Sequence, residues 1–339
     1  MIKPGSSTIN GIINTRMNYQ ECLRFLYTSL PMYQRLGAAA YKNDLAVSEE
    51  LDRRHGHPHK KFRTIHIAGT NGKGSVSHML SSVLQKAGYK TGLYTSPHLK
   101  DFRERIRING KMIPEQEIVN YVNNNIKQIE ELKPSFFEMT VDLAFLYFEK
   151  AKLDIAVIET GMGGRLDSTN IITPLLSIIT NIGLDHTRFL GDSLKKIAGE
   201  KAGIIKPGVP VIIGEYHPET IAVFEKTARE KNAKLLSAWK NLSVDFSLMD
   251  TNRSMNIQIS DHNNSQKITL NTDLTGKYQE KNVLTVLTAI KALKKEGFEI
   301  TNSHIENGLK QVKKLTGLRG RWEEIEYNPL VICDTAHNA

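Results

Sequence analysis

Cysteine is scarce in this chain, and long apolar runs are missing. The 339 residues contain two cysteines, Cys22 and Cys333, which lie far apart and outside any Cys-x-x-Cys or Cys/His spacing. This argues against a disulfide framework or a cysteine-based structural zinc site, and it is typical of a reducing cytoplasm. No apolar run approaches the roughly 18 residues of a membrane helix. The stretch 1–17 lacks the apolar core of a signal peptide. We therefore expect a cytoplasmic protein without membrane contact.

Length and charge set two further limits. A chain of 339 residues is longer than one typical core, so two domains are expected. The formal net charge of +9 favours anionic partners. Basic residues alternate with acids, as in 100–107, and no nucleic-acid-binding motif is present. We predict an anionic small-molecule substrate rather than nucleic acid, and a monomer.

One stretch has the layout of a phosphate-binding loop. Residues 64–67 predict a short buried strand, Gly69–Ser75 is a glycine-rich turn with one lysine, and 75–88 has apolar residues at helical spacing. Backbone N–H groups, the helix N-terminus and the Lys73 ammonium would bind phosphates. The common P-loop has Ser or Thr directly after its lysine, where this chain has Gly74. An ordinary glycine turn joining a strand to a helix is the alternative.

Further units of strand, polar loop and helix follow this turn. Apolar runs predict strands at 91–94, 153–158, 175–180 and 211–214. Polar side chains come directly after three of these strands: Ser96 and His98, Glu159, and Asn181 to His186. Ligands of open α/β sheets bind at the carboxyl ends of the strands, and a carboxylate there suits Mg²⁺. A simple turn and a loop histidine remain the alternative for Ser96 and His98.

These units predict an α/β fold with a doubly wound, mostly parallel sheet. Between 242 and 274 the pattern changes to short alternating runs, which predict a small antiparallel β appendage. Helices are expected at 276–296 and 303–314. A linker rich in glycine and arginine (317–322) then leads to a strand at 330–334.

Six segments, in order, resemble the folylpolyglutamate synthase/dihydrofolate synthase family of the Mur ligase superfamily. They are Gly69–Ser75, Thr95–Leu99 with Phe102–Arg107, Glu159–Asp167, Asn181–His186, Gly199–Ile204 and Asp334–Asn338. The resemblance covers nearly the whole chain and implies a Mur-ligase-type phosphate loop. It also implies ATP-dependent ligation of L-glutamate to dihydropteroate or a folate polyglutamate through an acyl phosphate. Another Mur-type amino-acid ligase and a nucleotide-binding form without ligase activity remain alternatives.

The resemblance implies roles for individual residues. The catalytic residues would be Lys73, His186 and Lys201. ATP would contact Thr70, Asn71, Gly72, Lys73, Gly74, Ser75, Asn282, Arg321 and Asp334. Two Mg²⁺ sites, with room for a monovalent cation, would use Ser96, Glu159, His186 and a carbamylated Lys201. The pterin would lie among Ser135, Phe136, Phe137, Glu138, Leu166, Asp167 and Ser168.

The resemblance also bears on domain organisation. It implies that 1–316 form the ATP-binding domain and that 317–339 are a linker and the first strand of a Rossmann-like C-terminal domain. We expect the strand at 330–334 to lack sheet neighbours. We also expect these 339 residues, taken alone, to bind nucleotide but to ligate poorly.

Overall fold

The computed structural model describes residues 16–31, 44–250 and 253–335. Its centre is an eight-stranded sheet with the order β4-β3-β2-β5-β1-β6-β7-β8. The strands are β1 (Arg63–Ala68), β2 (Thr91–Tyr94), β3 (Ile106–Ile108), β4 (Lys111–Met112), β5 (Ile155–Glu159), β6 (Leu176–Ile179), β7 (Val211–Ile213) and β8 (Leu235–Ser237). All neighbours from β2 to β8 pair in parallel, whereas β3 and β4 are antiparallel at one edge. The predicted doubly wound, mostly parallel sheet is therefore confirmed.

The register of the central strands determines where the site forms. Strand β1 lies between β5 and β6, and Ile67 is in register with Glu159 at the end of β5. The glycine loop, which follows β1, thus begins beside the Glu159 carboxylate. Because parallel strands end at the same edge of the sheet, the loops after β1, β2, β5 and β6 meet there.

Helices cover both faces of this sheet. They span Tyr19–Ser29, Ala46–Arg54, Lys73–Lys86, Glu115–Leu132, Phe136–Ala151, Thr187–Leu190, Leu194–Ala202, Ile221–Glu230, Gln279–Lys295, Asn302–Leu309 and Val312–Thr316. Alternate residues of β5 pack in two different hydrophobic cores. Ile155 and Val157 pack with the helix Lys73–Lys86, and Ala156 and Ile158 pack with the helix Phe136–Ala151. This alternation explains the continuous apolar run of a strand that is buried on both faces.

The predicted β appendage is present as a three-stranded antiparallel sheet. It consists of β9 (Leu242–Met249), β10 (Met255–Asp261) and β11 (Gln266–Thr272), with β10 in the middle. Every second residue of β10 is buried, and Ile257 and Ile259 join the core that contains the helix Gln279–Lys295. The alternating pattern was a reliable signal because one face of the sheet is covered and the other meets solvent.

Two expectations about the C-terminal part are wrong. The predicted helix over 303–314 is divided into Asn302–Leu309 and Val312–Thr316. The carboxylate of Asp273 accepts hydrogen bonds from the Val312 and Lys313 N–H groups, at 3.1 and 2.9 Å, and so supports a new helix start. The predicted strand at 330–334 does have a neighbour. It is β13 (Leu330–Cys333), and it pairs antiparallel with β12 (Glu323–Tyr327).

Strand β12 was missed because its sequence, Glu-Glu-Ile-Glu-Tyr, is mostly acidic and does not alternate regularly. The domain boundary near 316 stays a prediction. The last three residues of the Asp334–Asn338 motif lie outside the described residues. Within the described ranges, no helix is long and apolar enough to cross a membrane.

Candidate active site

The glycine loop has the conformation that its sequence predicted. The helix begins at Lys73, and Gly72 precedes it with a φ of +82°, in the left-handed region that favours glycine. A Cβ at position 72 would lie 2.4 Å from Asn282 Oδ1, so a larger residue would collide with the helix Gln279–Lys295. Both facts explain why glycine stands here, and they place Asn282, a predicted ATP contact, against the loop.

The loop is attached to the segment that follows β6. Asn181 accepts hydrogen bonds from the Thr70 and Asn71 N–H groups, at 3.0 Å through its backbone oxygen and 2.7 Å through its side chain. The Thr70 hydroxyl donates to Gly183 O at 3.1 Å and accepts from Gly183 N at 3.0 Å. Two consecutive loop residues are thus fixed from a neighbouring strand end, which holds the turn in one conformation.

Lys73 folds back over its own loop. Its Nζ atom donates to the backbone oxygens of Gly69 and Thr70, at 3.0 and 3.1 Å. Burial lowers the pKa of Lys73, and the negative charges of Glu159 and Asp185 oppose this shift. The ammonium group therefore lies within a partly buried acidic cluster at the mouth of the loop.

Glu159 is the buried acid of this cluster, with an exposed fraction of 3%. Its Oε2 accepts a hydrogen bond from the Ser96 N–H at 3.2 Å. Burial raises the pKa of Glu159, while Lys73, Ser96 N and Arg321 act in the opposite direction. The two predicted metal ligands from the ends of β2 and β5 are therefore neighbours, as the sheet order requires.

Lys201 reaches the same loop from the helix Leu194–Ala202. Its side chain is buried, and Nζ donates to Gly69 O at 2.8 Å. Burial, together with the positive charge of Lys73, lowers the pKa of Lys201 to about 7. A large fraction of this amine is consequently neutral near neutral pH, although an ordinary lysine is fully protonated there.

His186 lies at the outer side of the cluster. Its φ is +48°, which is unusual for a residue with a side chain, and Nε2 is 3.8 Å from Asp185 Oδ2. The charge of Asp185 acts on the pKa of both Lys73 and Lys201. Asp185 is therefore close to His186 and acts electrostatically on both lysines. Sequence analysis did not assign this role to Asp185.

Gln279 is a second residue of this region that sequence analysis missed. It is fully buried, its Nε2 donates to Ser75 Oγ at 3.3 Å, and its Oε1 accepts from Asn282 Nδ2 at 2.8 Å. It thereby bridges two predicted ATP-contacting residues that are far apart in sequence. The only sequence signal was its spacing of three residues from Asn282, which places both on one helix face.

Arg321, in the linker, lies near the glycine loop, and Asp334 directly follows β13. A Cβ at Gly74 would lie 3.5 Å from Arg321 Nη2 and 3.8 Å from Glu159 Oε1, so both groups flank the start of the helix. Arg321 also bonds the hydroxyl of Thr335. Asp334 accepts from Tyr278 OH at 3.2 Å and from Trp322 N at 2.8 Å. Arg321 thus lies beside the start of the helix Lys73–Lys86, and Asp334 is hydrogen-bonded to Tyr278 at the start of the helix that carries Asn282.

The residues predicted to hold the pterin divide into two groups. Ser135 and Glu138 form a reciprocal cap of the helix Phe136–Ala151: Glu138 N donates to Ser135 Oγ at 3.2 Å, and Ser135 N donates to Glu138 Oε2 at 2.6 Å. These contacts give both side chains a structural role. Asp167 also has structural contacts, because its carboxylate accepts from Met162 N at 2.9 Å and Thr169 N at 3.1 Å.

One of the two aromatic members of that set, Phe137, faces the glycine-rich segment after β5. A Cβ at Gly161 would lie 2.5 Å from the Phe137 Cζ atom, and the Phe137 and Tyr94 ring centroids are 6.1 Å apart. Phe136 instead stacks on Tyr27 at 5.5 Å and is buried. Phe137 is thus the ring of this pair that borders the glycine-rich segment. Leu166 is half-buried and Ser168 is buried in the same segment.

The fold and the loop together define an α/β nucleotide-binding protein of the Mur ligase type, and comparisons agree. Residues 67–290 match the Mur ligase middle domain. The dihydrofolate synthase/folylpolyglutamate synthase of Bacillus subtilis is 37% identical over 88% of this chain and 70% of that protein. The folylpolyglutamate synthase of Lacticaseibacillus casei is 34% identical over 95% of this chain and 74% of that protein. A solved FPGS-AMPPCP-folate complex superposes with a TM-score of 0.85, at 33% identity, covering 95% and 77% of the two chains.

The chain belongs to the folylpolyglutamate synthase/dihydrofolate synthase family. The resemblance drawn from six short segments is therefore confirmed, and so are its consequences for fold class and type of enzyme.

Proposed function

We propose that this protein ligates L-glutamate to a pteroate or folate carboxylate at the expense of ATP. The observation that carries the proposal is the cluster of Lys73, Glu159 and Arg321 around the start of the helix that follows the glycine loop. A reaction that joins two anions needs concentrated positive charge at the phosphates. The chain belongs to the family by similarity to two relatives, of which it covers 70% and 74%. This membership supports the substrate class.

In the proposed reaction the substrate carboxylate attacks the γ-phosphorus of ATP and ADP leaves. The acyl phosphate is then attacked by the glutamate amine, which loses a proton as phosphate departs. Backbone N–H groups of the loop and the Lys73 ammonium would bind the outer phosphates and orient them for this transfer. Arg321, whose Nη2 lies 3.5 Å from the position of a Cβ at Gly74, would add a second positive charge.

Some of the four predicted metal ligands suit Mg²⁺ and others do not. Glu159 and the Ser96 hydroxyl offer the oxygen ligands that Mg²⁺ prefers, and the buried Glu159 charge lacks solvent to stabilise it. Bound there, Mg²⁺ would neutralise charge on the β- and γ-phosphates. His186 would serve a second ion. Lys201 as an amine does not suit a hard cation, and a carbamate of Lys201 would supply two oxygens instead.

The same environment supports our proposal that Lys201 is carbamylated. The reaction adds CO₂ to a neutral amine and releases one proton, so it requires the unprotonated form. A lysine whose pKa is lowered to about 7 provides that form near neutral pH. Intact-protein mass spectrometry under native conditions, with ¹³CO₂ as label, tests this proposal. A bare amine in a Mg²⁺-loaded protein at saturating bicarbonate would contradict it.

On the substrate side, Phe137 and the segment 161–168 would line the pterin. The Ser135 and Glu138 side chains would act through the helix cap and so set the position of Phe137. The choice between dihydropteroate and a folate polyglutamate is decided by supplying each in turn with ATP, Mg²⁺ and glutamate. Glutamate-dependent ADP formation with only one of them would identify the substrate.

A second candidate function is that of another Mur-type amino-acid ligase. The same assay distinguishes the two functions when UDP-muramyl precursors are supplied in place of pterins. Turnover with these and not with pterins would refute the folate assignment.

A further inference from the structure

A cluster of Asp52, His57 and His59 lies outside the site described above. His57 Nδ1 is 2.7 Å from Asp52 Oδ2, and His59 Nδ1 is 2.6 Å from Asp52 Oδ1. One ligand atom from each of the three residues lies within 4.8 Å of the other two. We propose that these residues form a binding site for a divalent transition-metal ion of the zinc class.

The local backbone brings the three residues together. Asp52 is in the last turn of the helix Ala46–Arg54, and His59 is in the short 3₁₀ helix Pro58–Lys60. Between them His57 has a φ of +60°, a conformation that costs energy for a residue with a side chain. The His57 N–H also donates to the Asp52 backbone oxygen at 2.8 Å, which closes the turn. Both imidazoles are thereby directed to one carboxylate.

The nature of the donors selects the type of ion. Two imidazole nitrogens and one carboxylate oxygen suit Zn²⁺ and its neighbours in the first transition row better than Mg²⁺ or Ca²⁺. On binding, each Nδ1 would become a metal ligand and its ring would carry the proton on Nε2. The His57 side chain is 44% exposed, compared with 4% for Asp52, so solvent can supply the remaining ligand.

Three neighbouring side chains, those of His55, Arg53 and Arg54, are already paired with other groups. His55 has both ring nitrogens in contact with Asp142 and Asn125, each at 3.0 Å, and is not available as a ligand. The positive charges of Arg53 and Arg54 are paired with Glu50 and, for Arg54, also with Glu131.

The cluster is also separate from the predicted Mg²⁺ sites. It precedes the amino end of β1, whereas the phosphate loop follows its carboxyl end, and a strand of this length spans roughly 20 Å. An ion here would tie the helix Ala46–Arg54 to the start of the central strand. We therefore expect binding to raise the thermal stability of the protein.

Metal titration of the full chain tests the proposal. The titration uses the full chain with the substitution His186→Asn, called the parent below. This substitution removes the only histidine among the predicted Mg²⁺ ligands. Co²⁺ is added and followed by its visible absorption, and Zn²⁺ is followed by calorimetry. We expect one equivalent of each ion to bind, and Zn²⁺ to raise the melting temperature in a manner reversed by EDTA.

The informative variant is His57→Asn, because asparagine tolerates the left-handed backbone conformation and the residue is well exposed, so folding is retained. It should weaken Zn²⁺ binding at least about tenfold, the lower limit for disturbing a metal site, and His59→Gln should do the same. The matched control is His262→Asn, at an exposed histidine that contacts Ser243. The proposal is overturned if the parent binds no Zn²⁺ below about 100 µM, or if His57→Asn and His262→Asn have equal effects.

Discussion

The Nζ atom of Lys201 donates a hydrogen bond of 2.8 Å to the backbone oxygen of Gly69, the first residue of the phosphate loop. This contact joins the helix Leu194–Ala202 to the end of β1 across 132 positions of sequence. It places a buried amine beside Lys73, and the resulting environment lowers the pKa of Lys201 to about 7.

The first prediction concerns the pH dependence of stability. The Lys201 pKa is near 7 in the folded state and about 10.5 when unfolded, so between these values the unfolded chain binds more protons. The free energy of unfolding contributed by this group therefore rises as pH increases from about 7 to about 10.5. Lys201→Met should remove this rise. Urea denaturation at several pH values in CO₂-free buffer measures the difference between the two proteins. Parallel pH curves would show that Lys201 is not buried as described.

The second prediction concerns Gly72. Gly72→Ala should abolish binding of a non-hydrolysable ATP analogue, because its Cβ would lie 2.4 Å from Asn282 Oδ1 and its φ is +82°. Gly88→Ala is a matched control. Its φ is +89°, but among the described residues no atom beyond its two chain neighbours lies within 4 Å of the added Cβ. Both variants should lose about 1–2 kcal/mol of stability through the left-handed backbone alone. Only Gly72→Ala should lose nucleotide binding, as measured by calorimetry, and an equal loss in both would refute the role of the contact with Asn282.

The third prediction concerns the buried Gln279. Gln279→Leu would leave the Ser75 hydroxyl and the Asn282 amide without their partner, at a cost of about 1–3 kcal/mol. We expect a lower melting temperature and weaker binding of the ATP analogue. Gln116→Leu is the control, since this exposed glutamine donates a hydrogen bond to Asn120 in the next turn of the same helix, outside the candidate site. If Gln279→Leu binds the analogue like the wild type, the bridge does not position the loop.

The fourth prediction separates two arginines of the linker. Arg321 lies near Gly74 and Glu159, whereas Arg319 is paired with Glu323 at 3.0 Å and is largely exposed. Arg321→Gln should weaken binding of the ATP analogue at least about tenfold, the effect of losing one charge-assisted contact of about 1.5–3 kcal/mol. Arg319→Gln should leave the affinity within about twofold, because exposed ion pairs contribute little. The reverse order of effects would show that Arg321 does not reach the nucleotide.

Sequence patterns were sufficient for much of the fold. The strand Thr91–Tyr94 has the predicted bounds, because its apolar run and its flanking residues are unambiguous. The β3–β4 edge and the acidic β12 were missed. Such short or polar strands exist because a neighbouring strand offers hydrogen bonds, and a local pattern does not contain that information.

For the site, the amino-acid sequence alone determined which chemical groups are present: a glycine loop with Lys73, an acid at the end of β5, and a lysine at position 201. Only the tertiary structure decided how they act. In the structure Ser135 and Glu138 cap a helix. Gln279 lies between Ser75 and Asn282. Lys201 is buried beside Lys73. The physical reason is that pKa values and hydrogen-bond partners depend on burial and on neighbours distant in sequence, which form only when the sheet assembles.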